Sequence, residues 1–256
     1  MTVVVYDGSY AGLLTAVFEV YEYKFEQVSI QRQKEVNGDL FGRTYTVLTD
    51  EQKAQRVHKK LQERLSPAAN RQLHDAYLSE LKDIENVMLR YMRHALKEKI
   101  AVENDYTNAD VLLIKQISRK VHREKHRMEA FVRFQLTKDG LYYCIIQPDY
   151  NVLPLISKHF ERRYADQRWF IYDSFRKYGL YYNLFKVEEV EMNFNADLSG
   201  KETMATINDP QEDLYQQLWQ QYFSSVNIAA RKNMKLHIQH MPKRYWRYLT
   251  EKKIEG

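Results

Sequence analysis

The spacing of apolar positions divides the chain into a helical first half and a strand-rich middle. Residues 2–6 (Thr-Val-Val-Val-Tyr) are short and β-branched, and Asp7-Gly8-Ser9 follows, the pattern of a strand and a turn. Leu13, Leu14, Val17, Phe18 and Tyr21 then recur at helical spacing, with Asp7 or Ser9 available as a cap. Residues 24–48 read as strand or loop, punctuated by Gly38 and Gly42. Thr49 and Gln52 fit a capping box, opening a helix to about Leu65 that Ser66-Pro67 ends. Two more helices follow over 68–81 and 83–98, the second with Ile84, Val87, Met88, Tyr91 and Leu96 on its apolar side. Thr107 or Asn108 caps another, running to about Arg127 on the stripe Val111, Ile114, Ile117 and Val121.

The period then changes. Met128 to Leu136 alternates, which predicts a strand with Phe131, Arg133 and Gln135 on one face and Val132 and Phe134 on the other. Asp139-Gly140 is a hairpin signal, and Leu141 to Gln147 returns. Val152 to Ala165 reads as a helix, and Trp169–Tyr172 and Tyr178–Tyr182 as strands. Residues 193–210 are polar and read as a long loop; Leu214 to Phe223 is helical in pattern. The expected class is α+β in a single domain: mainly helical over 1–127, then a four-stranded antiparallel sheet with a helix (strand-strand-helix-strand-strand) over 128–190, then a basic helical C-terminus over 211–256.

Composition narrows the class of protein. No uninterrupted apolar run approaches the ~20 residues that a bilayer span needs, and the first residues lack the basic region of a secretory signal. Cys144 is the only cysteine, so the chain cannot build an internal disulfide, and a cytoplasmic location is expected. The net charge of +5 is unevenly placed. Segment 111–133 has seven cations against two carboxylates, and segment 227–256 has eight against two. Their combined +11 exceeds the whole-chain value, so the remainder is net acidic. Such asymmetry points to a polyanionic partner; solvated helix faces are the alternative.

Several residues could carry chemistry. His122 and His126 share one helix face, a spacing that can hold zinc, but Lys and Arg flank them and no further ligands stand at zinc spacing, so no metal is expected. Arg123 and Arg127 on this ridge, with Arg133 beyond it, suit phosphate contact; Arg133 could equally make an ion pair. His126, Asp149, His159 and Asp173 are candidates for acid–base catalysis, with Asp149 also placed to cap the following helix. Arg231, Lys232, Lys243, Arg244 and Trp246 form a basic, aromatic block suited to phosphate contact and base stacking, unless Trp246 packs into the core. A Gly-rich phosphate loop, a zinc-finger set, a Gly-x-Ser-x-Gly elbow and iron–sulfur cysteine spacing are all missing, so no cofactor is expected.

The stretches Tyr6-Asp-Gly-Ser-Tyr-Ala-Gly-Leu-Leu14, Lys120-Val-His-Arg-Glu-Lys-His-Arg-Met128, Phe131-Val-Arg-Phe134, Pro148-Asp-Tyr-Asn-Val-Leu-Pro-Leu155, Trp169-Phe-Ile-Tyr-Asp173 and His240-Met-Pro-Lys-Arg-Tyr-Trp246 together resemble a bacterial family linked to DNA metabolism and repair. His159-Phe160 to Arg163 and Arg231-Lys-Asn233 belong to the same resemblance, which spans the chain. Members are encoded beside a radical-SAM protein, and the domain also occurs fused to uracil-DNA-glycosylase-like domains. The resemblance implies a DNA partner and a radical-SAM repair protein as a second partner. It supplies a pathway and no reaction. A DNA-binding repair protein is the first expectation; an enzyme on damaged or modified DNA and an adaptor for the radical-SAM partner are the alternatives.

Overall fold

The structure, a computed structural model, describes residues 1–35, 43–98, 102–191, 238 and 241–249. The chain forms two compact units, Met1–His122 and Arg123–Gly256.

The first unit is built on a parallel sheet. Strand β1 (Thr2–Tyr6) lies between β2 (Val28–Arg32) and β3 (Arg43–Thr46), with Val4 opposite Ile30 on one side and Tyr45 on the other. Val3 to Tyr6 are all buried, as a central strand's continuous apolar run requires. Helix α1 (Tyr10–Glu22) makes the crossover, and Ser9 caps it by accepting the Gly12 amide. Helices α2 (Glu51–Arg64), α3 (Pro67–Leu78) and α4 (Ile84–Lys97) follow. Asp50, and not Thr49, caps α2, accepting the amides of Gln52 and Lys53. Thr49 is occupied elsewhere: its hydroxyl donates to Asp7 Oδ2 at 2.8 Å.

Helix α5 (Ala109–Phe131) crosses the boundary between the units. Asn108 accepts the amides of Asp110 and Val111 at its start. The predicted stripe Val111, Ile114, Ile117 and Val121 is buried. It continues through Glu124 and Met128, which is why the helix outlasts its expected end near Arg127. The strand expected from Met128 is therefore helix as far as Phe131, and only Gln135–Leu136 (β4) pairs as strand.

The second unit holds a five-stranded mixed sheet, ordered β4, β5 (Tyr142–Ile146), β6 (Trp169–Asp173), β7 (Tyr178–Tyr182), β8 (Val187–Glu191). The sequence pattern predicted four antiparallel strands; β5 and β6 are parallel, and β8 is a fifth strand. The physical cause is helix α6 (Leu153–Arg163), which carries the chain back along the sheet so that β6 starts at the same end as β5. The β4–β5 hairpin turns at Asp139-Gly140, with Gly140 at φ +74°. Trp169, fully buried, centres an aromatic core with Phe134, Phe160 and Tyr182. Strand β8 lies at the edge of the described sheet and carries Glu188, Glu189 and Glu191. Of the C-terminal segment, Lys243–Tyr248 forms a 3-10 helix. The helix predicted over Leu214–Phe223 and the loop over 193–210 lie outside the described residues.

Candidate functional site

Parallel strands aim their carboxyl ends at one edge of the sheet, where side chains from successive loops can converge. In the second unit, the segment Gln147–Asp149 leaves β5 there and Ser174–Lys177 leaves β6. A groove of about 560 Å³ opens at this edge. Gln147, Pro148 and Asp149 line it from β5, Phe175 from the β6–β7 turn, and Lys243, Arg244 and Arg247 from the 3-10 helix.

Its walls are fixed from beneath. Asp173, fully buried, accepts the amides of Phe175 and Arg176 and so shapes the β6–β7 turn. Arg176 Nη1 bonds to Asp173 Oδ2 at 2.8 Å and to the Pro148 carbonyl at 3.2 Å, while Nη2 reaches the Asp149 carbonyl at 3.3 Å. One guanidinium thus ties the two loops together. This turn leaves Phe175 65% exposed on the rim. On the opposite side, Tyr248 donates to the Gln147 side chain at 3.1 Å.

Glu124 anchors the 3-10 helix. Its side chain is 2% exposed, and it accepts the Asp149 amide at 2.9 Å, the Tyr245 hydroxyl, and Arg244 Nη2 at 3.1 Å. Arg127 Nη1 lies 3.6 Å away. Burial, then the hydrogen bond to Glu124 and that carboxylate's charge, pushes the Tyr245 hydroxyl well above the usual phenol range. The same Arg244 Nη2 meets Asp149 Oδ2 at 2.6 Å in the groove. Partial burial, then repulsion from Glu124, raises the Asp149 carboxyl above its ordinary range, against the pull of Arg244, Arg127 and Arg176.

The predicted residues divide accordingly. Lys243 and Arg244 line the groove. Trp246 is half-buried beside it, its indole donating to the Met241 carbonyl at 3.0 Å; the side chain of this block that enters the core is Tyr245. Arg123 is exposed on α5. Arg133 closes the end of that helix, bonding to the Ala130 carbonyl at 2.8 Å. Arg231 and Lys232 lie outside the described residues. Of the acid–base candidates, Asp149 and Asp173 are linked through Arg176. His126 and His159 instead flank Glu129, at 3.8 and 3.9 Å. Asp149 does not cap α6; Val152 stands at that position and makes no side-chain cap bond. His122 faces Asp75 at 3.0 Å, so the two histidines of the ridge turn to different carboxylates. Arg247 belongs to the same basic, aromatic block as Lys243 and Arg244, whereas the sequence reading does not reach Phe175, whose one signal is an apolar residue in a tight polar turn.

Among the described residues, no helix is long and apolar enough to cross a membrane. A protein-family model described as a domain of unknown function, DUF4130, matches residues 82–251, which include every residue of the groove. No curated protein and no solved structure matches the chain.

Proposed function

The chain belongs to the DUF4130 family, and since that kinship supplies no activity, we propose from the groove's own chemistry that the protein binds DNA, as part of DNA repair or DNA metabolism. The observation that carries this reading is the convergence of Lys243, Arg244 and Arg247 with the exposed ring of Phe175 in one groove. Cations placed along a groove take successive phosphates, and an exposed aromatic ring takes the face of an unstacked base. This combination favours a single strand, whose bases are free to stack. Arg123 adds an exposed cation on α5.

A labelled single-stranded oligonucleotide, titrated at several salt concentrations, tests the reading. Three phosphate contacts give a slope of log K against log salt of about −2. The paired change Lys243→Glu and Arg247→Glu abolishes most of the binding, and Phe175→Ala weakens it at every salt concentration without altering the slope. Absence of binding at low salt, or binding with no salt slope, refutes it.

A second reading, an enzyme on damaged or modified DNA, rests on Asp149, a carboxyl with a raised protonation range inside the groove. Its test is product formation on oligonucleotides carrying defined lesions, lost in Asp149→Ala. The partnership with a radical-SAM repair protein, implied by the sequence resemblance, belongs to the same proposal. Co-purification of the two proteins from the native host tests it, and failure to associate at micromolar concentration counts against it.

A further inference from the structure

Resting on the DNA-binding reading above, we propose that Asp149 is a built-in stand-in for a DNA phosphate: its carboxylate holds Arg244 in the groove until a phosphate replaces it. The argument starts from Arg244 Nη2, which serves two carboxylates at once, Glu124 at 3.1 Å and Asp149 at 2.6 Å. The two are unlike in setting. Glu124 is buried, and the Tyr245 hydroxyl and the Asp149 amide hold it in place. The Asp149 carboxylate is 49% exposed, lies on the groove wall, and has Arg244 as its ion-pair partner there. One contact anchors the arginine; the other occupies the position from which it would meet a ligand.

A carboxylate and a phosphate oxygen compete for a guanidinium with the same geometry. When phosphate enters, the Asp149 carboxylate gives up its contact with Arg244 but stays on the groove wall, while Arg244 keeps Glu124. The displaced carboxylate then has less to hold it ionised. It still faces Glu124 and Arg127 from α5, Arg176 from the β6–β7 turn and the adjacent Tyr150, and it now has an incoming anion beside it. DNA binding is therefore accompanied by proton uptake at this residue. Affinity rises as pH falls from neutrality toward the carboxylate range, because protonation of Asp149 frees Arg244. The same competition makes the groove selective for ligands that bring several phosphates, since a single weak anion gains little by replacing a carboxylate already in place.

The test uses the full chain and a labelled single-stranded oligonucleotide. Asp149→Asn is expected to raise affinity about tenfold at neutral pH, the scale of one charge-assisted bond, and to flatten the pH response. In an Arg244→Gln background the gain from Asp149→Asn disappears, because the competition it relieves is gone; a general effect of charge would persist there. In the parent protein, saturating oligonucleotide raises the pH at which Asp149 protonates, read from its carboxyl carbon resonance. Unchanged or weaker binding by Asp149→Asn, a gain that survives Arg244→Gln, or an Asp149 titration indifferent to oligonucleotide overturns the proposal while leaving DNA binding standing. Failure of the parent and of Asp149→Asn alike to bind overturns both.

Discussion

Glu124 lies on the buried stripe of α5, one helical turn after Val121 and one before Met128, so the spacing that packs those apolar side chains also buries a carboxylate. A charge at a core position is costly unless several donors meet it. Here the Asp149 amide, the Tyr245 hydroxyl and Arg244 do so. Removing it by Glu124→Ala takes the acceptor from the Tyr245 hydroxyl and the Asp149 amide and leaves Arg244 with Asp149 alone, and urea unfolding should register a loss of about 3 kcal/mol. Trp246 attracted attention in the sequence, yet the residue that seats the segment is its neighbour Tyr245; nothing in composition distinguishes the two rings, because their roles are set by a carboxylate more than a hundred residues earlier in the chain. Cys144 offers a separate check. Burial in β5 pushes its thiol up to about 12. The native protein should resist alkylation at mildly alkaline pH, and unfolding in denaturant should make Cys144 react at the rate of a free thiol.

Elements were legible where local pattern and packing agree. The apolar stripe of α5, the Asp-Gly hairpin and β7 stand where spacing puts them, and on α4 Ile84, Val87, Met88 and Tyr91 are buried as expected, while Leu96 is only half-buried and Met92 and Ala95 face the core in its stead. The misreading at 128–134 has a definite source. Phe-Val-Arg-Phe alternates like a strand, but Met128 extends the α5 stripe, and that burial keeps the backbone helical to Phe131. Phe134 then turns into the aromatic core, edge-on to Phe160 at 5.7 Å. Strand direction was hidden for another reason: alternation reports which face is buried and says nothing of parallel or antiparallel pairing. Gly179 in β7 shows how tightly the sheet is packed. A Cβ there would stand 2.7 Å from the Ile171 carbonyl and 2.6 Å from the Phe170 ring. The backbone atom cannot withdraw, so Gly179→Ala should cost about 1–3 kcal/mol, seen as a lowered thermal midpoint with the groove residues themselves untouched.

Across the whole chain, the excess of positive charge is a coarse guide to the groove. It pointed to the segment after 227, and Lys243, Arg244 and Arg247 do line a groove, but Arg133 is spent on helix carbonyls and Arg127 stands beside Glu124. Counting cations cannot separate those that face a ligand from those that hold the fold. The reverse of that charge distribution matters too. Among the described residues, strand β8 has no neighbour on its outer side, and it carries three glutamates in five residues. Two copies brought edge to edge would set these rows of like charge against each other at the spacing of hydrogen-bonded strands, which opposes the growth of a continuous sheet from one molecule to the next. Replacing Glu188, Glu189 and Glu191 by threonine keeps the strand and removes the repulsion. The altered protein should show a sedimentation coefficient that climbs with concentration more steeply than the parent's, so the acidity of this edge guards the protein against aggregation when its local concentration is high.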